Sequence, residues 1–468
     1  PAKEPNHQSY AKLIPPEKLK EDLDFLFKTI EEVHPNMYAY TPKEEFSPLR
    51  DELYCQINRP MTRLEFYKLV APVVASLKSG HTHIQPFPQE LKEYKEKGGY
   101  VFPLGLRLEM PRVIISRNYS SIELPLGATL LKVNGRPAFE IFQKFARLIP
   151  AENKNSNPAI IERPEILGWL LYLEYGPVKL WDVEIKTADG AVHNYSIKSV
   201  SLVKIEATPS KANSEKERNR YKYIPRCNAA LLEINSFGGD PRKFKGFLKR
   251  SFQKIQTQKI THLIIDIREN PGGSDMNADA LLEHLTAKPY KQFEEARIKL
   301  SSQDEKSVAP LRQQQPQLFR NKKLGDIITL KLPAKKPSYN PLRFTGQTYI
   351  LIGPRSFSTS TSFAATIKRF EIGKLIGEET GDPLIVYGHT INVQLPNSRL
   401  PAVIPGRAFV LPGGKADGRG VLPDYEAKQK LEDTAKAVDT VLQFTLDLIK
   451  KSDSKIPVTK KNNNTMQN

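Results

Sequence analysis

The chain has 468 residues, 39% of them hydrophobic, and a formal charge of +18. At roughly 100–200 residues per domain that length implies several units, and no apolar run approaches the roughly 18 residues that cross a bilayer, which excludes a helical membrane protein. The basic residues are scattered over helices, 204–222, 297–336 and the tail, with no helix-turn-helix, zinc-finger or RNA-recognition signature, so they argue against specific nucleic-acid binding and fit electrostatic contact with an anionic envelope. Cys55 and Cys227 lack metal-ligand spacing and are compatible with two thiols or one disulfide.

In chain order, 1–90 reads as a helical region. Leu19, Leu23, Leu26, Ile30 and Val33 recur at intervals of four and three until Pro35 stops the helix. Thr62-Arg63-Leu64-Glu65 has the form of a capping box, and Phe66, Leu69, Val70, Val73, Val74 and Leu77 continue from it as a second apolar face. That helix delivers the chain to Ser79-Gly80-His81-Thr82-His83-Ile84. From 91 to 203 the pattern changes to short strands and turns, with Asn134-Gly135 as one turn and Asp189-Gly190 dividing 183–187 from 192–197 as a hairpin. The charged stretch 204–224 reads as a linker.

Over 225–450, apolar strands at 230–234, 262–267, 348–352 and 375–376 alternate with helical patterns at 244–255, 277–285 and 361–368, which predicts parallel βαβ units. Between 297 and 343 a Gln-, Lys- and Pro-rich stretch of little periodicity reads as a surface excursion. Leu431, Ala435, Val438, Leu442 and Leu448 mark one last helix, and 451–468 reads as a disordered tail.

Two strand ends carry the chemistry. Leu263-Ile264-Ile265-Asp266-Ile267 runs into Arg268-Glu269-Asn270-Pro271-Gly272-Gly273, and Ile350-Leu351-Ile352 runs into Gly353-Pro354-Arg355-Ser356-Phe357-Ser358. The carboxyl ends of parallel strands are where α/β proteins place their sites. Paired glycines offer backbone N–H groups to an oxyanion, and the second loop offers a hydroxyl, which makes acyl transfer the first hypothesis. Ser358 is the candidate nucleophile, beside a helix expected to begin near Thr359; taken alone, the segment reads more readily as a Ser/Thr-rich N-cap, and pairing with the glycine loop shifts the weight. A serine needs a base, and His81, in a Gly-flanked turn, is preferred to His83 and His389.

The order of these motifs, with Gly377-Glu378-Glu379-Thr380-Gly381 and a late Gly420-Val421-Leu422-Pro423-Asp424, resembles the C-terminal processing peptidase superfamily. That superfamily includes tail-specific proteases, the tricorn protease core and interphotoreceptor retinoid-binding protein. The resemblance implies an α/β fold with a crotonase-like ββα core, an N-terminal helical region and a PDZ-like β-rich module that presents substrate. It implies a serine peptidase without metal or cofactor, with Ser358 as nucleophile and amides around Gly272, Gly273 and Thr359 as oxyanion hole. Tail-specific members place a base lysine where this chain has Thr380-Gly381-Asp382-Pro383, so the chain looks like the tricorn-type branch, whose base is a histidine matched by His81. In that branch a serine precedes the histidine, where Gly80 stands here, and a glutamate supports it, for which Asp417 is the nearest match, with Glu379 behind it.

A second class of function, a non-catalytic ligand- or peptide-binding protein, is compatible with the same fold, as the retinoid-binding relatives imply. The resemblance and a start at Pro1 without Met make a periplasmic or extracellular location the expectation.

Overall fold

The computed structural model describes residues 12–85, 92–94, 96, 98–109, 111–152, 156–207, 219–436 and 438–454. Most of the expected linker and tail lies outside them. No helix among the described residues is long and apolar enough to cross a membrane.

The first helix runs Pro16–Val33 and buries the apolar residues read from its spacing. Thr62 and Glu65 make the reciprocal capping box at the start of Arg63–Ala75, which gives two otherwise unpaired N–H groups acceptors. These helices share one apolar cluster with Leu395, Leu400, Ala402 and Ile404 from far along the chain. The helical region is therefore packed onto the core.

The central sheet has six strands in the order Asn219–Ile224, Ala229–Ile234, His262–Asp266, Gln347–Ile352, Lys374–Gly377 and Tyr425–Glu426. Only the first pair is antiparallel. Leu263 and Ile265 join one cluster with the helices Pro241–Thr257, Asp275–Leu282 and Thr359–Arg369, while Ile264 joins another with Val441, Leu446 and Ile449 of the C-terminal helix Thr440–Asp453. Both faces are covered, which is why these strands read as unbroken apolar runs rather than alternating ones. The last helix differs from the single one expected: Asp439 caps Thr440–Asp453 with its side chain, so a short helix at Leu431–Ala435 stands apart.

Residues 104–198 build a separate antiparallel sheet with its own apolar cluster. Asn134 and Gly135 take positive φ, 48° and 77°, as a tight hairpin turn requires. The module is less purely β than its pattern suggests, because Ala138–Ala146, Ser156–Ile161 and Pro164–Tyr175 are helices. Its two ends meet: Tyr100–Val101 pairs antiparallel with Val200–Ser201.

A five-stranded antiparallel sheet supplies the largest departure from expectation. The hairpin formed by Ile385–Gln394 and Pro401–Val410 pairs with Glu295–Lys299, which pairs with Ile327–Lys331. The supposed surface excursion is thus ordered around Ile298, Leu300, Val308, Phe319 and Ile328; each strand is too short to reveal its period in sequence. The same sheet receives His83–Ile84, registered His83 to Val403 and Ile84 to Ala402, so the turn before it is tied to the core.

Leu248 lies fully buried between its helix and the central sheet. Leu248→Ala is expected to cost about 2–5 kcal/mol, read as a lower urea midpoint with an unchanged slope.

Candidate active site

The glycine loop and the serine loop are built against each other. Asn270 is fully buried; its amide donates to Ile234 O at 2.9 Å and its side-chain oxygen accepts from Gly272 N at 2.9 Å. Its carbonyl accepts from Phe357 N at 3.1 Å, and Ser356 Oγ donates to Ile267 O at 2.8 Å. Gly272 and Gly273 have φ of 100° and 140°. A Cβ on Gly272 would lie 2.8 Å from both Phe357 O and Ser358 Cβ, and one on Gly273 would lie 2.1 Å from Gly238 N. Only glycine permits both the conformation and the approach.

Ser358 occupies the N-cap position of Thr359–Arg369 at φ 54°, ψ −123°, yet its side chain makes no capping bond. The plain N-cap reading therefore fails, and the half-buried hydroxyl remains available. Thr359 Oγ1 donates to Gly273 O and to Asp275 Oδ1, each at 2.9 Å, closing the two loops. Among the described residues, the N–H groups of Gly273 and Thr359 have no acceptor, whereas that of Gly272 is committed to Asn270.

His81 arrives from the helical region on an anchored turn. Buried Ser79 bonds His34 Nε2 at 3.1 Å and accepts from Thr82 Oγ1 at 3.0 Å. The His81 ring stacks on Phe357, the neighbour of Ser358, with centroids 4.9 Å apart and planes at 23°. Burial pushes the imidazoles of His81 and His83 down to about 4 and that of His34 down to about 3. A neutral His81 is the form that accepts a proton.

Two carboxyl groups reach His81. Ligand atoms of His81, Glu152 and Asp382 lie within 4.8 Å of one another. Asp382, fully buried, accepts from Ser358 N at 2.5 Å through Oδ2, and Glu152 accepts from Gly80 N at 2.6 Å through Oε1. His81 Nδ1, Glu152 Oε2 and Asp382 Oδ1 are buried without a partner. Burial raises both carboxyl pKa values, and the negative charge of Glu152 raises that of Asp382 further. A Cβ on Gly80 would lie 2.6 Å from Glu152 Oε2, so the glycine that stands for the expected serine makes room for this carboxylate.

The expectation for the supporting carboxylate is corrected. Asp417 is exposed on a loop, where it accepts from Arg419 N at 3.0 Å, and Glu379 is paired with the Arg419 guanidinium. Loop 411–420 is held by backbone bonds such as Leu384 N–H to Arg419 O and is not drawn to His81. His389, the competing base, bonds Asp304 and Ser307 in a different cluster. Glu152 was missed because nothing local marks a carboxylate in the module that must fold back onto Gly80. Asp382 had a signal, its place in the stretch that holds a lysine in tail-specific members.

Residues 228–427 match the model of peptidase family S41. That segment, which carries the glycine and serine loops, is similar to the family. Among solved structures, that of mature CPAF complexed with lactacystin is similar to this chain at 16% identity and a TM-score of 0.68, covering 94% of this chain and 98% of that one. A structure of mature CPAF alone gives 15% identity and a TM-score of 0.64 over 93% and 97%. At such identity the likeness speaks for the fold, a mixed α/β arrangement shared over nearly the whole length. No curated protein sequence matches the chain.

The carboxyl pair makes a pH prediction. Groups whose pKa is raised by folding give stability that is present below the unfolded value and lost as pH rises through the folded one. Burial pushes Glu152 up to about 7. Glu152→Gln keeps the Gly80 acceptor and removes one titrating partner. It is expected to gain stability relative to the parent as pH rises from 5 towards 7, by about 1.4 kcal/mol per pH unit, measured by urea unfolding across that range.

Proposed function

We propose that this chain is a serine peptidase of family S41 that cleaves protein or peptide substrates through an acyl-enzyme. Ser358 attacks the peptide carbonyl while His81 takes its proton, and His81 then returns that proton to the leaving amine; water repeats the sequence on the ester. Asp382, with Glu152 beside it, is the carboxylate group that balances the imidazolium formed in the transition state. The free N–H groups of Gly273 and Thr359 receive the oxyanion, and the glycine loop gains force from the helix N-terminus next to it.

The observation that carries this reading is Ser358 itself: a strained N-cap serine with an unused hydroxyl, pressed against a glycine loop and bonded through its N–H to the carboxylate that lies beside His81. A structural cap would have used the hydroxyl. The reading also treats the module over 91–203 as PDZ-like and the region over 225–450 as a crotonase-like core, with 1–90 as the unit that brings the base. It takes the chain as a processing peptidase or endopeptidase, with the cell envelope as the expected location.

A fluorophosphonate probe tests the assignment. Parent protein is expected to be labelled once, at Ser358, and Ser358→Ala to abolish labelling and lower turnover by about 10⁵–10⁶ with an unchanged circular dichroism spectrum. Labelling that survives in Ser358→Ala overturns the nucleophile. A folded parent that is never labelled and still binds peptide favours the non-catalytic class.

A further inference from the structure

The cluster around His81 holds two carboxyl groups where the proposed reaction needs one. Two carboxyl groups and an imidazole meet in a buried space, and one polar atom of each is left without a partner. Buried polar atoms of this kind are uncommon and call for an occupant. Two carboxylates so close resist ionising together unless a proton or a cation is shared between them.

We propose that His81, Glu152 and Asp382 form a site for one divalent cation of the zinc class, and that an ion bound there switches the peptidase off. The inference rests on the assignment of His81 as base and deepens it into regulation of the same site. One nitrogen and two carboxylate oxygens are the ligand set of a three-residue zinc site, with a fourth position left for water. Hard ions such as magnesium and calcium seek oxygen ligands and a larger shell, which this set does not offer.

The outer shell is already in place. The second oxygen of Glu152 is held by Gly80 N–H and that of Asp382 by Ser358 N–H, so both carboxylates are aimed before an ion arrives. Ligands at about 2.0–2.2 Å from a tetrahedral ion stand roughly 3.3–3.6 Å from one another. The present spread of up to 4.8 Å closes by about 1 Å, within reach of rotation about the Glu152 side chain.

Capture of the imidazole removes the base whichever nitrogen binds. Coordination through Nδ1 leaves the proton of the neutral ring on Nε2, and coordination through Nε2 uses that lone pair directly. Neither form accepts the Ser358 proton. Because the three ligands come from the helical region, the β-rich module and the core, the same ion also ties three parts of the chain together.

Cobalt(II) is the direct probe, since four-coordinate cobalt absorbs strongly in the visible. Titration of the full chain is expected to give an intense band saturating at one equivalent, displaced by zinc, and lost in both Glu152→Gln and His81→Ala while circular dichroism is unchanged. In parallel, zinc is expected to protect Ser358 from the fluorophosphonate, reversibly with chelator, and Glu152→Gln to require at least about tenfold more zinc. No band, or a band that persists in both variants, overturns the ion site. Cobalt bound as expected without protection of Ser358 overturns the inhibitory role. If the parent is never labelled, the assignment of Ser358 fails while the cobalt result still decides the ion site.

Discussion

The backbone of Ser358 sits at φ 54° and ψ −123°, a conformation that costs a non-glycine residue about 1–3 kcal/mol and persists only where its surroundings impose it. What imposes it is the bond from Ser358 N–H to the fully buried Asp382 carboxyl at 2.5 Å, backed by the glycine loop pressed against Phe357 and Ser358. The bond constrains both partners. It fixes the direction of the serine side chain, and it gives a buried carboxyl one of the donors it needs. Asp382 is in turn held near His81 and Glu152, so the position of the proposed nucleophile and the charge around the proposed base depend on one contact.

The remaining geometry follows from delivery. Two parallel strands bring the glycine and serine loops to the same sheet edge, as α/β topology requires. His81 cannot come from that sheet. It is carried by a helix whose capping box sets its start, and it is held by the pairing of His83–Ile84 with the end of a long hairpin. The β-rich module approaches from a third direction with Glu152, and it makes a second contact through Glu162, which pairs with Arg355 at 2.8 Å while Arg355 also pairs with Glu269 at 2.7 Å. Arg355 lies on the serine loop and Glu269 on the glycine loop. The module therefore touches the serine loop directly through Glu162, and Arg355 passes that contact on to the glycine loop; Glu162 is the most buried of the three, so losing its partner is costly.

Local patterns were legible wherever one element decides its own outcome. The first helix, the capping box, the Asn134-Gly135 turn and the alternating core elements could be read because spacing and turn chemistry are properties of short segments. That the glycine loop and the serine loop lie together could be read because both follow buried parallel strands of one sheet. The long hairpin and its partner strands escaped, since their burial comes from distant pairing and not from their own period. Glu152 escaped for the same reason: its importance lies in reaching Gly80, and Gly80 looked like a lost serine until the carboxylate was seen to occupy the space a side chain would need. Asp417 is the residue nearest the place the resemblance gives to a supporting glutamate, and here it is exposed and accepts from Arg419 N.

The two-stranded closure of Tyr100–Val101 with Val200–Ser201 gives the β-rich module the outline of an insertion whose entry and exit share one point. Such an insert can be gained, lost or exchanged without reopening the host, because the gap it leaves is already bridged. Glu152 changes that freedom. A unit attached at one point on the outside has placed an acidic group in the interior of its host, beside a glycine shaped to receive it, and any replacement must supply the same acid or leave Gly80 and His81 facing an empty space. The module is separable as a folding topology and inseparable as chemistry, so its sequence drift is confined by a neighbour with which it shares no sheet.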